Sequence, residues 1–224
     1  MSRARARGIR VVVFLLASVV VANLLHRVVF PADPPSPATY PREGDTFGSA
    51  AEGFEQQVVA VRDGWLVLRT QVAPRAPGPP VHFHRSFAEV FTVESGQLHV
   101  ELPDGAIQLG PGEEHRVEPG VHHRPYNPTD EAVIIASDKP VMPQSFGACL
   151  VQIYHFLDAA EGQMGPGLMV RIAALDPICD STLPEIPAVV RLGTEWLVVP
   201  FARLLGYKNY YPELSLHPDG VVKG

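Results

Sequence analysis

The chain has 224 residues, enough for one ordinary domain with extensions, and 46% of them are apolar, which is enough for a buried core. The net charge is −6, but residues 31–224 alone hold 13 basic and 24 acidic side chains. That balance lacks the basic face that nucleic acid requires, so we expect no nucleic-acid partner. The 23 prolines and 19 glycines indicate many turns, which suits short strands better than long helices.

Residues 1–30 are predicted to be a membrane segment. Between residues 11 and 30 the polar side chains are few: Ser18, Asn23, His26 and Arg27. A membrane span needs about 20 residues, whereas a cleavable signal is shorter and ends at small residues. Length favours an uncleaved transmembrane anchor over the alternative, a signal peptide cleaved near Ala22. Because the N-terminal arginines hold that end in the cytoplasm, the remainder is expected on the extracytoplasmic side, or secreted if cleavage occurs.

The next two segments are predicted to be a linker and a β-domain. Residues 31–53 are rich in Pro, Gly and Ser and are expected to form a stiff, solvated linker. In residues 54–143 two β-prone runs flank Asp63-Gly64, a hairpin signal. Strands are predicted at 58–61, 65–68, 81–84, 87–94, 97–102, 106–109, 115–118, 123–126 and 132–136. Many short strands with close turns indicate a mainly β, antiparallel jelly-roll barrel with an interior pocket.

Two blocks of this β-region contain the residues of a candidate metal site. In the first block His82 and His84 are two residues apart, so on a strand they point to the same face, and Glu89 follows. In the second block His123 comes shortly after a Pro119-Gly120 turn. Three imidazoles and a carboxylate on short strands are what a mononuclear transition-metal site needs.

These blocks resemble the paired motifs of the cupin superfamily. The first motif, an HxH followed by Glu and Gly, is matched by His82, His84, Glu89 and Gly96. The second motif, with two glycines, a His and an Asn, is matched by Gly112, Gly120, His123 and Asn127. There are two departures: Gly78 lies closer to His82 than is usual, and the motif proline is displaced to Pro119. The resemblance covers roughly residues 55–140 and, with no internal repeat visible, implies a single cupin barrel.

The resemblance and the spacing together predict that His82, His84, Glu89 and His123 bind one divalent transition metal. Such a donor set suits Fe, Mn, Ni, Cu, Zn or Co and leaves one or two coordination positions open. The sequence does not choose among these metals. By strand parity we expect Phe91 and Val93 to line the cavity with Glu89, and Phe83 to pack behind the ligands.

Other polar residues of the two blocks are given supporting roles. We expect His122 to point away from His123. The remaining histidines of the strands are expected to be structural, although either could enter the pocket as an acid or base: His99 and His115. Two residues near the mouth could hold a polar substrate group: Arg124 and Tyr126. Asn127 is expected to fix the turn after the second block.

Residues 144–224 are predicted to be a C-terminal helical extension, because the apolar period changes after Pro143. A helix from Ser145 to about Gly162 is expected on the outside of the barrel, and residues 168–175 are ambiguous. Residues 187–207 contain Pro200 and three charges, which favours an in-plane membrane helix or a homodimer contact, with a core helix as the alternative. Cys149 and Cys179 could be free buried thiols or, outside the cytosol, one disulfide.

Three hypotheses for function follow. The cupin resemblance implies a metal-dependent oxygenase or isomerase that acts on a small oxygenated molecule. The second hypothesis is a non-catalytic module that binds a small ligand or the metal outside the membrane. The third is a structural barrel whose partner docks on the C-terminal helices. The complete donor set and the apolar pocket walls favour the enzyme, but no catalytic base stands out.

Overall fold

The computed structural model describes residues 3–29, 35–175 and 179–220. Within these residues an N-terminal helix, α1 (Arg3–Val29), precedes an antiparallel β-domain, and helices follow it. The strands are β1 (Thr46–Ser49), β2 (Phe54–Arg62), β3 (Trp65–Val72), β4 (Glu89–Ser95), β5 (Leu98–Leu102), β6 (Gly105–Leu109), β7 (Glu114–Val117), β8 (Arg124–Tyr126), β9 (Val133–Ala136) and β10 (Met142–Pro143). The antiparallel β-fold with C-terminal helices agrees with the prediction.

The strands form two sheets. The larger sheet has the order β1-β2-β3-β9-β4-β7, with β10 beside β3, and the smaller sheet has the order β6-β5-β8. The hairpin between β2 and β3 turns at Asp63 and Gly64, which both have positive φ (51° and 77°), as the sequence predicts. Sequence-distant strands therefore meet in the larger sheet, and β4, which begins at Glu89, lies between β9 and the edge strand β7.

The larger sheet buries one face against two different partners. On β3, the side chains of Leu66, Leu68 and Val72 point to the same face of the sheet. Leu66 and Leu68 pack in the core formed with the C-terminal helices, whereas Val72 packs in the core formed with the smaller sheet. Helix α2 (Gln144–Ala159) thus covers part of the barrel face that the smaller sheet leaves open. The expectation that this helix packs outside the barrel was wrong, because its apolar residues are needed to complete the interior.

Three further expectations are corrected by the backbone. Strand β1 lies inside the segment 31–53 predicted to be a linker; it pairs with β2 and buries Phe47. Residues 81–84 form no regular strand, and isolated antiparallel bridges hold His82 against His123 and Phe83 against Thr182. Helix α2 begins one residue before the expected Ser145 cap, and Gly162 follows its end with φ of 73°.

The C-terminal region contains more helix after α2. The ambiguous residues 168–175 lie in α3 (Pro166–Leu175), and one helical stretch follows: α4 (Ala188–Gly193), a π-helical turn (Thr194–Val198) and α5 (Val199–Leu204). Cys149 on α2 and Cys179 form a disulfide with a Cα–Cα distance of 5.4 Å. Of the two states left open for these cysteines, the structure has the paired one.

Helix α1 packs lightly against the stretch 188–204. The Nδ2 atom of Asn23 donates a hydrogen bond to the backbone carbonyl of Trp196. The residue four positions after Trp196 is Pro200, which has no N–H to donate to this carbonyl. Arg27 lies over the Trp196 ring. Residues Arg7–Val29 are long and apolar enough to cross a membrane by length and composition, a test that signal sequences also pass. Their apolar side chains are mostly exposed.

We predict that Gln152 holds the chain's last segment on α2. This fully buried amide donates to the Tyr211 carbonyl (3.1 Å) and accepts from the Tyr211 N–H (3.0 Å). Gln152→Leu should lower the free energy of unfolding by ~2–4 kcal/mol, because two buried backbone groups lose their partners. Urea unfolding measures this, with the exposed Gln163→Leu as the control. Equal effects of the two substitutions would contradict the prediction.

A second prediction concerns Glu52, which is buried in the turn between β1 and β2. Burial, with the nearby charge of Asp158, raises the pKa of Glu52 to about 7. The unfolded chain ionises this carboxyl at lower pH, so folding stability falls as pH rises from about 4.5 to 7 and stays reduced above 7. Glu52→Gln should therefore stabilise the fold by ~3 kcal/mol at pH 8 and hardly at all at pH 4.5.

Thermal unfolding at both pH values tests the Glu52 prediction. The control is Glu55→Gln, an exposed acid on β2 that should change stability little at either pH. If Glu52→Gln shifts the unfolding temperature equally at pH 4.5 and pH 8, ionisation of this carboxyl is not what costs stability.

Candidate metal centre

The structure brings together the four residues predicted to bind a metal. One ligand atom each from His82, His84, Glu89 and His123 lies within 4.8 Å of all the others. Two backbone hydrogen bonds pair His82 with His123 (3.0 and 2.8 Å), which places both side chains on one side of the bridge. Glu89 is the first residue of β4. The three imidazoles are at most 8% exposed, and the Glu89 side chain is 17% exposed.

The three histidines share one tautomer. Their Nδ1 atoms each lie against a backbone carbonyl: Pro80 for His82 (2.9 Å), Asp180 for His84, and Val121 for His123 (3.0 Å). A carbonyl can only accept, so each Nδ1 carries a hydrogen and each neutral ring keeps its lone pair on Nε2. This is how metal-ligating histidines are usually fixed.

The Nε2 atoms of two of the histidines meet at the carboxylate. Glu89 Oε2 lies 3.2 Å from His84 Nε2 and 2.8 Å from His123 Nε2. Burial alone would raise the pKa of Glu89, but the hydrogen bonds from His123 and His84 outweigh burial and lower it. Burial alone would lower the pKa of His123, but the bond to Glu89 outweighs it and raises the pKa. An Nε2 lone pair and a carboxylate oxygen repel each other at these distances. A proton, or a metal cation in its place, must therefore lie between them.

Burial decides the charge state of the His82 ring. Burial lowers the pKa of His82 to about 4, although the charge of Glu89 opposes the change. The ring is therefore neutral at pH 7, and no proton competes with a metal ion for its lone pair. A neutral imidazole is the form that binds a metal.

The donor set fits one divalent transition ion. Ligand distances of about 2.0–2.2 Å put donors on opposite sides of an ion about 4.2 Å apart, so atoms within 4.8 Å need move only slightly to close around it. Imidazole nitrogen and carboxylate oxygen suit several first-row metals. The cluster could thus hold the predicted ion, and the chemistry of its donors does not select which one.

A cavity of about 40 Å³ adjoins Glu89. Its walls come from β2, β3, β4, β9 and β10 and include Phe91, Ile135 and Met142. Phe91 lines this cavity as predicted, whereas Val93 lies in the core between the sheets. Two polar side chains, Gln56 and Thr70, also border it. The cavity has room for a few water molecules or a very small ligand.

The other singled-out residues fall into two groups. His122 is exposed and stacks on Phe83 (5.1 Å), and Asn127 fixes its turn by donating to the Ala73 and Glu131 carbonyls, so both agree with expectation. The residues proposed for the mouth do not border the cavity: Arg124 pairs with Glu101 and lies over Tyr126. His99 packs on Tyr126, and the metal cluster contains neither His99 nor His115.

Two residues near the site were not predicted from the sequence. Asp180, from the C-terminal extension, supplies the carbonyl that orients His84. Gln56 on β2 is 6% exposed; its Nε2 donates to the hydroxyl of Tyr154 on α2 (3.3 Å), and its Oε1 is buried with no partner among the described residues. The signal that could have identified Gln56 is a polar residue that shares its strand parity with the apolar Phe54 and Val58. No local pattern marks Asp180.

Comparison with known proteins agrees with this geometry. Residues 68–137 match the family model described as Cupin domain. An oxidoreductase of Arthrobotrys oligospora is 44% identical over 158 aligned residues, which cover 64% of this chain and 62% of that protein. The match thus spans less than two thirds of that relative's length.

Solved structures with cupin descriptions also resemble part of the chain. A cupin-2 domain protein from Shewanella frigidimarina is 28% identical, and the match covers 36% of this chain and 74% of that protein's chain, with a TM-score of 0.32. A sugar phosphate isomerase of the cupin superfamily from Silicibacter pomeroyi is 20% identical and covers 44% and 76%, with a TM-score of 0.36. Since these scores are low, they add no argument. The family model supports the cupin superfamily for residues 68–137, which contain all four candidate ligands.

Proposed function

We propose that this chain is a membrane-tethered cupin that binds one divalent transition metal and catalyses a metal-dependent oxidation of a small oxygenated molecule. The observation that carries the proposal is the convergence of three Nε2 lone pairs and the Glu89 carboxylate, each imidazole being fixed through Nδ1. A structural barrel would not require three buried imidazoles to share one tautomer.

The choice of oxidation over isomerisation rests on one relative. The Arthrobotrys protein that resembles this chain at 44% identity is described as an oxidoreductase. An oxygenase fits the donor set as well, because three imidazoles and a carboxylate leave positions open for a second ligand. Metal-dependent isomerisation of the same kind of molecule remains the other activity that this site would support.

The residues around the site have separable roles in this proposal. His82, His84, Glu89 and His123 would hold the ion, which when bound supplies a Lewis acid and, if iron, copper or manganese, a redox centre. The apolar walls limit the contact of bulk water with the carboxylate, whose side chain is 17% exposed, and this would strengthen electrostatic interactions there. Gln56, which borders the cavity, would orient a polar group of the substrate, since its amide oxygen is buried and has no partner in the part of the chain that the structure describes.

A non-catalytic binding module is the second candidate function. The small cavity beside Glu89 favours it, because about 40 Å³ accommodates only a very small ligand. In that case the protein would capture the metal itself, or a small ligand through the metal, without turnover.

We also propose that α1 is an uncleaved anchor and that the cupin domain faces the extracytoplasmic side. Its apolar side chains are exposed over the whole length suited to a span, and arginines crowd its first residues. The disulfide supports export, because disulfides persist mainly in oxidising compartments. The exposed apolar residues of 188–204, such as Val189 and Phe201, would lie in the same membrane surface.

The metal proposal predicts one equivalent of transition metal in the protein purified from its host. The His82→Ala/His84→Ala double variant should lose the metal and any oxygen uptake, because two of four ligands are gone. Elemental analysis and an oxygen electrode, with small hydroxylated and carboxylated molecules as candidate substrates, measure this. The exposed His122→Ala is the matched control and should retain both properties.

The outcomes separate the candidate functions. Metal bound in the wild type without turnover of any candidate would favour the binding module. Retention of metal by the double variant, at the level of His122→Ala, would refute the assignment of these histidines as ligands.

The anchor proposal predicts that the chain stays in the membrane pellet after alkaline carbonate extraction and still begins at residue 1. N-terminal sequencing checks the second point. Because both cysteines are buried, thiol labelling is done on the denatured chain, and it should detect Cys149 and Cys179 only after reduction. A chain found in the soluble fraction with residue 1 present would contradict the anchor.

A further inference from the structure

A short segment of the C-terminal extension, Cys179–Thr182, lies against the first ligand block. Thr182 exchanges two backbone hydrogen bonds with Phe83, both of 3.0 Å. The neighbouring Asp180 accepts the His84 Nδ1–H through its backbone carbonyl. This segment lies outside residues 68–137, so the contact with the ligand block comes from chain beyond the family match.

The carboxylate of Asp180 fixes the backbone just after His84. It accepts hydrogen bonds from the Arg85 N–H (2.9 Å), the Ser86 N–H (2.7 Å) and the Ser86 hydroxyl. The side chain of Asp180 is 19% exposed. Asp180 therefore touches the ligand segment twice, through its carbonyl at the imidazole and through its carboxylate at the following two residues.

The three imidazoles differ in where their orienting carbonyls come from. His82 and His123 donate to carbonyls two residues before them in their own loops, Pro80 and Val121. His84 donates to a carbonyl 96 residues away in sequence. The local loops can hold His82 and His123 by themselves, whereas the orientation of His84 depends on the position of a remote segment.

The disulfide anchors that remote segment. Cys179, next to Asp180, is bonded to the fully buried Cys149 of α2. The same helix places the Phe146 ring edge-on to the His84 ring, with centroids 4.9 Å apart. One face of His84 also stacks on Phe87 (4.3 Å). Helix α2 thus reaches His84 by a direct ring contact and by the path through the disulfide and Asp180.

We propose that Cys179–Thr182 completes the metal centre, with Asp180 as a positioning residue for His84 and the Cys149–Cys179 disulfide as its anchor. The inference rests on the proposed metal binding. Without the anchor, His84 can rotate or change tautomer, and its Nε2 lone pair is no longer directed at the ion. Loss of such an orienting partner typically weakens metal binding by about 10–100-fold.

The test is a cobalt titration of the full chain, followed by visible absorption and by competition with a chelator. Asp180→Ala keeps the backbone carbonyl but removes the carboxylate that holds this segment against Arg85 and Ser86, and the pair Cys149→Ser/Cys179→Ser removes the anchor. Each change should displace the carbonyl from His84 and so lower cobalt affinity by about 10–100-fold. At saturating cobalt their spectra should shift toward that of His84→Ala, because one imidazole is displaced. Asp180→Asn keeps one acceptor oxygen and should recover part of the affinity.

Asp158→Ala is the matched control. Asp158 is also a carboxylate that caps a turn: it accepts from the Ser49 hydroxyl (2.7 Å) and from the Ala50 and Ala51 N–H groups (both 3.1 Å), and that turn carries no candidate ligand. Its loss should destabilise the fold by a similar amount while leaving cobalt affinity and spectrum unchanged. Thermal unfolding of each variant measures the stability part separately.

Two further measurements keep the test decisive if the cysteine variant folds poorly. Reducing the wild type with a phosphine, long enough that thiol titration after denaturation shows the buried disulfide to be open, should lower cobalt affinity. The same reduction of the Asp180→Ala protein should lower its affinity little further, since both changes break one path. An Asp180→Ala protein with the affinity and spectrum of Asp158→Ala would overturn the proposal while metal binding stands. A wild type that binds no cobalt, zinc, iron or manganese would overturn both.

Discussion

Three imidazole Nδ1 atoms each meet a backbone carbonyl, and this constraint decides where the Nε2 lone pairs of the cluster point. A neutral imidazole has one donor and one acceptor nitrogen, so a carbonyl at Nδ1 leaves Nε2 as the acceptor in every ring. Glu89 then stands at the point where the lone pairs meet. The strands and turns of the domain matter to the chemistry because they fix these three carbonyls and this carboxylate in place.

The C-terminal helices are part of the same construction and not an appendage to it. Helix α2 covers the barrel face that the smaller sheet leaves open, and it brings Phe146 against His84 and Tyr154 against Gln56. Gln152 and the disulfide fasten further C-terminal segments to this helix. The interior of the barrel, the ligand geometry and the C-terminal extension therefore stabilise one another.

Much of the β-domain was predictable because turn chemistry and ligand spacing are local. The motif glycines show why: Gly78, Gly96, Gly112 and Gly120 all have positive φ, and a side chain at Gly78 would overlap the Pro125 carbonyl oxygen. The four candidate ligands could be identified because three imidazoles and a carboxylate are uncommon in such spacing and match the paired cupin motifs. The parity argument for His82 and His84 assumed a regular strand, yet bridged irregular backbone brings the same rings together.

What could not be predicted depends on distant pairs of residues. A helical period shows that α2 has an apolar face, but not whether that face covers the inside or the outside of a barrel. The pairing of Cys149 with Cys179 needs their Cα atoms within bonding range, which sequence spacing does not give. Asp180 acts on His84 through a backbone carbonyl, a group that every residue has, so its side chain gave no indication of that role.

The disulfide bears on which metal the protein acquires. Six candidate ions suit the donors, and their intrinsic affinities follow a fixed order with copper at the top, so availability decides occupancy as much as the ligands do. If the Cys149–Cys179 bond completes the geometry around His84, a newly made chain with reduced thiols would hold ions weakly. The protein would then take its ion from the metals present in the compartment where the disulfide forms, and not from those present where the chain is synthesised.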